Sequence, residues 1–200
     1  RLRFANGVML NIKQTDFQKD RVSLSMRLDG GALMATRENP TRVSLAASLA
    51  IGGMEAHSFD ELRTIFAGRS ISPAFGMSAD SFGGSATTTP RDLALQAKVM
   101  AAYLLHPGYR ADGLSMMRRA FPQRYAAMDA TPSAILGRDQ DAIITGGDPR
   151  MVTPSLETMM ALDWQGLAPV IADNLRHGAI EIGIVGDVDE AAAIKAIAES

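Results

Sequence analysis

The chain has no cysteine among its 200 residues, so neither a disulfide nor a thiolate metal site can be built from it. It has no apolar run approaching the ~18 residues of a membrane-spanning helix. An excess of one charge is also missing. Twenty basic and 22 acidic residues leave a net charge of −2, which gives no electrostatic reason to expect nucleic acid. Histidine is scarce, with three copies at His57, His106 and His177, and no glutamate occurs between Glu61 and Glu157. There is no G-x-S-x-G elbow for a hydrolase. Gly52-Gly53 and Gly83-Gly84 lack the lysine of a phosphate loop, and Gly183-Ile184-Val185-Gly186-Asp187 lacks the spacing of a dinucleotide turn.

What is present is ordinary for a globular domain. The apolar fraction is 46% and the charged fraction 21%, and the length suits one domain, or two closely merged ones, with a real core. Twelve methionines read as core packing. The chain opens directly on a strand pattern and ends within a helical one, which predicts a piece of a longer protein.

The most informative stretch is Thr41–Ser70. Val43, Ala46, Ala47, Ala50 and Ile51 recur at helical spacing, so Arg42–Ile51 predicts a buried helix of small residues. Gly52-Gly53 stops it. Ser58-Phe59-Asp60-Glu61 is a capping box and opens a second helix through Leu62, Ile65 and Phe66 to Gly68. Around this hub, Leu2–Phe4 and Val8–Lys13 predict a hairpin about Ala5-Asn6-Gly7. Arg21–Asp29 alternates apolar and polar residues, as a strand with one wet face does. Ser70–Met77 and Ser81–Thr88 predict a second hairpin turning at Ser78–Asp80, with a face rich in glycine and serine.

Thr89-Pro90 starts a helix that stops at His106-Pro107-Gly108. Ala111–Met128 predicts a helix bent or broken by Pro122, and Thr131-Pro132 opens another through Ile135, Ile143 and Ile144. Pro154–Leu162 and Trp164–Leu175 predict shorter segments, the latter disturbed by Gly166 and Pro169. Ala179–Val185 is a strand, and Asp187 or Asp189 caps a last helix over Glu190–Ala198. The order predicts an α+β fold, a mostly antiparallel sheet with helices packed on one face.

Several ordered fragments carry a family resemblance. They are Phe4-Ala5-Asn6-Gly7-Val8, Gly30-Gly31, Phe66-Ala67-Gly68-Arg69-Ser70, Leu105-His106-Pro107-Gly108-Tyr109, Gly147-Asp148-Pro149-Arg150 and Ile184-Val185-Gly186-Asp187-Val188. Together they resemble the pitrilysin/insulinase family of inverted zinc peptidases along nearly the whole chain. Active domains of that family carry H-x-x-E-H on the first hub helix, two histidines holding zinc and a glutamate activating water. The counterpart positions here are Ser44, Ala47 and Ser48, or Val43, Ala46 and Ala47 in a register shifted by one. Neither set contains a metal ligand or a base. The family's third ligand, a glutamate in the region matching Arg110–Ala130, is missing too.

The resemblance therefore implies a catalytically silent domain, the first domain of the non-zinc half of a longer peptidase. It would complete a peptide-binding chamber and dock to a zinc-bearing half, on the same chain or a partner subunit. It implies no cofactor in this segment, zinc in the catalytic half, peptide as substrate, and a bacterial periplasmic or cell-envelope location. The alternative is a structural or assembly subunit of the same fold without peptidase activity. Among residues that could do chemistry here, only Glu55 and His57 form a close acid–histidine pair, offering two ligands or an acid–base couple. They are weak candidates, and a solvated loop ahead of the capping box is the favoured reading. Arg118, Arg119 and Arg124 read as a solvated basic face.

Overall fold

The computed structural model describes residues 1–200. Six strands form one sheet: β1 (Leu2–Arg3), β2 (Met9–Gln14), β3 (Val22–Asp29), β4 (Gly76–Met77), β5 (Ser81–Thr88) and β6 (Ile180–Gly186). Their spatial order is β1-β2-β6-β3-β5-β4. Every neighbouring pair is antiparallel except β2 and β6, which run parallel. The sheet is thus α+β and mostly antiparallel, as the sequence pattern predicts.

The alternation in β3 decides which face is covered. Val22, Leu24, Met26 and Leu28 are buried and lie in register with Ile180, Ile182 and Ile184 of β6 and with Phe82 and Ala86 of β5. Helices α2 (Leu93–Leu105), α6 (Trp164–His177) and α7 (Glu190–Ala198) cover this face. They contribute Met100, Tyr103, Leu167, Ile171 and Ala193 to one continuous core. The remaining helices, α1 (Phe59–Ile65), α3 (Ala111–Met128), α4 (Pro132–Ile144) and α5 (Leu156–Ala161), extend the helical side.

The hub departs from expectation in its winding. Arg42–Gly52 is a continuous 3-10 helix of 11 residues, unusually long for that form. With three residues per turn, Val43, Ala46, Leu49 and Gly52 stack into one buried line. Ala47, expected inside, is exposed. Tyr103 Oη donates to the Ala50 carbonyl (3.2 Å) and Trp164 Nε1 to the Arg110 carbonyl (2.8 Å). Gly52 lies against the Trp164 ring, and a Cβ there would sit 3.2 Å from the ring, a tight contact. The capping box forms as read. Ser58 Oγ accepts from Glu61 N, and Ser58 N donates to Glu61 Oε2 at 2.7 Å. The α1 helix ends at Ile65 rather than reaching Gly68.

The expected strand Ser70–Met77 shrinks to Gly76–Met77. Its first half is tied to α2 instead. The fully buried Gln96 accepts from Ser72 N (2.8 Å) and donates to Ser72 O (2.9 Å). The carboxylate of Asp92 accepts from Ser70 N and Arg69 Nη1. The turn at Ser78–Asp80 forms as expected, closed by Ser78 N donating to Ser81 O. Thr89 Oγ1 accepts from Asp92 N, but as part of a turn, and α2 begins only at Leu93. Neither Pro122 in α3 nor Pro169 in α6 breaks its helix. Both prolines are exposed, so water can take up the carbonyl each one releases. Asp189 caps α7, while Asp187 accepts from Asp20 N.

Candidate functional site

The hub positions that would bear zinc in the resembling family lie close together but offer no donor set. Val43 and Ala46 are in the core. The Ser44 hydroxyl donates to the Thr41 carbonyl at 2.6 Å, and Ala47 and Ser48 present only a methyl and a hydroxyl. No group of three or more His, Cys, Asp or Glu side chains anywhere in the chain is placed to hold a metal. The residues present do not fit a zinc ion, and no step through one follows from them.

Glu55 and His57 do not form the expected pair. They flank a tight turn in which Met54 N donates to His57 O and His57 N to Met54 O. The Glu55 carboxylate instead meets His106 Nδ1 at 3.2 Å, with both side chains more than half exposed. Arg110 Nη1 donates to the Glu55 carbonyl. His57 lies on the other side of the turn, near Glu61, whose carboxyl is held below its ordinary range mainly by the Ser58 amide and hydroxyl. Fold contacts thus join residues 51 positions apart, a pairing with no signal in local spacing. His177 pairs with Asp173 one turn back on α6. Of the expected basic face, Arg118 is partly buried and donates to the Leu162 carbonyl at 2.8 Å.

The helices pack on one face of the sheet, and the second face presents the polar residues of β3. Register puts Asn11, Gly183, Ser25 and Ser85 in one row across four strands, roughly 14 Å long at the usual strand spacing. Lys13, Val185, Ser23 and Thr87 form the next row on one side, and Met9, Glu181, Arg27 and Gly83 on the other. The central row is kept low by its chemistry. A Cβ at Gly183 would sit 2.7 Å from Ser25 Oγ, and in the flanking row one at Gly83 would run into the Met26 carbonyl. Polar groups rim the trough: Asn11 Nδ2 donates to Glu181 Oε1 (2.7 Å), and Arg27 Nη2 to Asp80 Oδ1 (2.9 Å). Hydrogen bonds from Ser78, then the charge of Arg27, hold the Asp80 carboxyl below its usual value. At the β3–β5–β4 end the surface sinks into a depression of about 650 Å³ lined by Ser25, Arg27, Ser78, Asp80, Ser81 and Ser85. A separate apolar groove of about 480 Å³ runs between the first hairpin, the covered face, α2 and α7, past Phe4, Leu24, Met100 and Ile197.

The trough supplies hydroxyls, a side-chain amide and close access to backbone, but no nucleophile–base pair. The glycine and serine content of Ser81–Thr88 pointed to it, whereas the contributions of Asn11 and Glu181 needed the register of β2 and β6.

Solved structures with this fold include peptidase domains and a chain of complex III from Candida albicans, the latter with TM-score 0.64 and 15% identity. Over 98% of its length the chain superposes on the periplasmic protease PqqL from Escherichia coli, with TM-score 0.78 and 12% identity over 23% of that chain. It superposes equally completely on an inactive domain of a peptidase of family M16 from Pseudomonas fluorescens, with TM-score 0.74 and 16% identity over 49% of that chain. A third match is the ferredoxin protease FusC in complex with Arabidopsis ferredoxin, with TM-score 0.76 and 17% identity over 22% of that chain. The chain therefore has the fold of pitrilysin-like M16 peptidase domains, and it spans between about a fifth and a half of these neighbours' lengths. No family model and no curated protein matches it in sequence.

Proposed function

We propose that this chain is a catalytically silent domain of a pitrilysin/insulinase-type zinc peptidase, lining the peptide chamber and docking against a zinc-bearing half. One observation carries the reading: in a peptidase fold, the hub helix has no ligand while the open sheet face keeps a polar trough fit for an extended chain. The inactive M16 domain among its structural neighbours supports the silence. The protein substrate held by FusC supports a role in handling polypeptide. In this reading the segment is the first domain of the non-zinc half, zinc resides in the other half, and the location is periplasmic or in the cell envelope, as PqqL's is.

The test is NMR titration of the 15N-labelled chain with unfolded β-casein. Shifts should concentrate on Asn11, Ser25, Ser85 and Thr87 and vanish in a Ser25→Trp variant that fills the trough. Shifts confined to the helical side, or none at millimolar peptide, would refute the role and favour a purely structural or assembly subunit.

A further inference from the structure

The chain has four asparagines, Asn6, Asn11, Asn39 and Asn174, and only Asn6 is followed by glycine. Asn11 donates its Nδ2 to Glu181 Oε1 (2.7 Å) and precedes the β-branched Ile12 within β2. Asn174 donates its Nδ2 to the Asp29 carbonyl (2.9 Å) from within α6. Asn39 precedes Pro40, whose nitrogen carries no proton to give up. Asn6 sits exposed at the tip of the first hairpin, and Gly7 follows it at a φ of 91°.

The backbone nitrogen of the next residue attacks an asparagine side chain wherever it can reach the amide carbon. Gly7 has no side chain to obstruct that approach, and even a Cβ built there would meet nothing within 4 Å. Val8 N donates to Asn6 Oδ1 at 3.2 Å, so the side chain is curled over the intervening Gly7 peptide. That bond draws electron density from Cγ and meets the negative charge that grows on Oδ1 during attack, as an oxyanion-hole donor does. One contact opposes the reaction: Gly7 N donates to the Phe4 carbonyl at 2.9 Å. The turn is exposed, and the need to open one such bond slows the attack by only about 2–12-fold.

We propose that Asn6 is a modification site, where spontaneous deamidation through a cyclic imide with Gly7 yields aspartate and isoaspartate, and that the isoaspartate form releases β1. In the first step the bond from Gly7 N to Asn6 Cγ forms and the Cγ–Nδ2 bond breaks. Ammonia leaves, taking the Gly7 amide proton with it. Water, the sole co-reactant, then opens the imide at either carbonyl, and no electrons change hands. Opening at Cγ restores the main chain with an aspartate. Opening at the backbone carbonyl routes the main chain through the side chain and lengthens it by a carbon atom. The longer loop cannot keep both turn bonds, Gly7 N to Phe4 O and Phe4 N to Val8 O. Strand β1 is two residues long and pairs only with β2, so it depends on that turn. Its release makes β2 the edge of the sheet and withdraws Phe4 from the core it packs against. This inference rests on the hairpin alone and not on the peptide-handling reading.

Ageing the folded chain at neutral pH, with its peptides mapped by mass spectrometry, tests the reaction. Conversion at Asn6 should exceed that at the other three asparagines at least about tenfold, and should run within about 12-fold of the rate in guanidinium-unfolded chain. Gly7→Ala should slow it at least about tenfold in the unfolded chain too, where strain in the turn plays no part. Edman degradation from Arg1 should halt at position 6 in the isoaspartate product. In that product, isolated by chromatography, the Phe4 amide should exchange with deuterium at least about tenfold faster than in fresh chain. Asn6→Asp, whose main chain is normal, should keep its Phe4 protection. Conversion no faster than at the other asparagines, or slowed more than about 12-fold by folding, would overturn the site. Unchanged Phe4 exchange in the isoaspartate product would overturn the release of β1.

Discussion

Two glycines in helices should respond to the same substitution with opposite sign. Gly113 lies in the first turn of α3, where that helix crosses the hub, and Gly137 lies midway along α4. On intrinsic helix preference alone, alanine at either site would add about 1 kcal/mol. The surroundings differ. Nothing lies within 4 Å of a Cβ built at Gly137. At Gly113 the added carbon would run into the Ile51 carbonyl oxygen, with Ile51 C at 2.7 Å and Gly52 N at 3.1 Å. These are backbone atoms of the hub and cannot rotate away, so α3 must move off it. Overpacking of this kind costs about 1–3 kcal/mol, sometimes more, and rigid backbone places it at the upper end. Gly113→Ala should therefore lose about 2 kcal/mol net, a Tm drop of about 4–8 °C for a chain this size. Gly137→Ala should gain about 1 kcal/mol, or about 2–4 °C. Urea unfolding with unchanged m-values would show that native stability itself has moved. A stabilised Gly113→Ala variant would refute the close crossing of α3 over the hub.

Tyr103→Phe should cost about 0.5–1.5 kcal/mol through loss of the bond to the Ala50 carbonyl. Burial pushes the Tyr103 hydroxyl up to about 12. Its contribution is thus complete below pH 10 and lost as pH rises through 12, so absorbance at 295 nm should show this tyrosine ionising only there. Asp92, beside Arg69 and the Ser70 amide, and Asp148, gripped by Arg150 and Arg37, both have carboxyls held below the ordinary range. Their folded values lie below the unfolded ones, so the stability they supply is full above about pH 4 and falls as pH drops below it. Asp92→Asn and Asp148→Asn should each flatten that acid limb in melts from neutral pH downward. Glu55→Gln and His106→Ala should each change stability by less than about 1 kcal/mol, because their pair is exposed. A larger loss by chemical denaturation would mean that the pair fixes the hub turn.

Local chemistry announced several features of the fold. The capping box at Ser58, the alternation of β3, the turn at Ser78–Asp80 and the Asp189 cap all depend on residues within a few positions of one another. The open face was legible from Ser23, Ser25 and Arg27 for the same reason. Other features required partners far along the chain. Ser70–Phe75 has strand-like composition, yet Asp92 just before α2 and Gln96 within it bond the backbone of Ser70 and Ser72. The hub's 3-10 winding puts Val43, Ala46 and Leu49 in one buried line, which helical spacing in the sequence does not distinguish from an α-helix. Pro122 and Pro169 interrupt neither helix, and both lie on an exposed helix side. For the candidate site, spacing paired Glu55 with His57, whereas the fold pairs Glu55 with His106.

The most direct test of the silent-domain reading is the zinc content of the chain by elemental analysis, after dialysis against zinc and then against buffer. The account predicts zinc well below one per chain, with no change in His57→Ala or His106→Ala. Stoichiometric zinc, lost in either variant, would contradict it and make the turn at Glu55 a metal site.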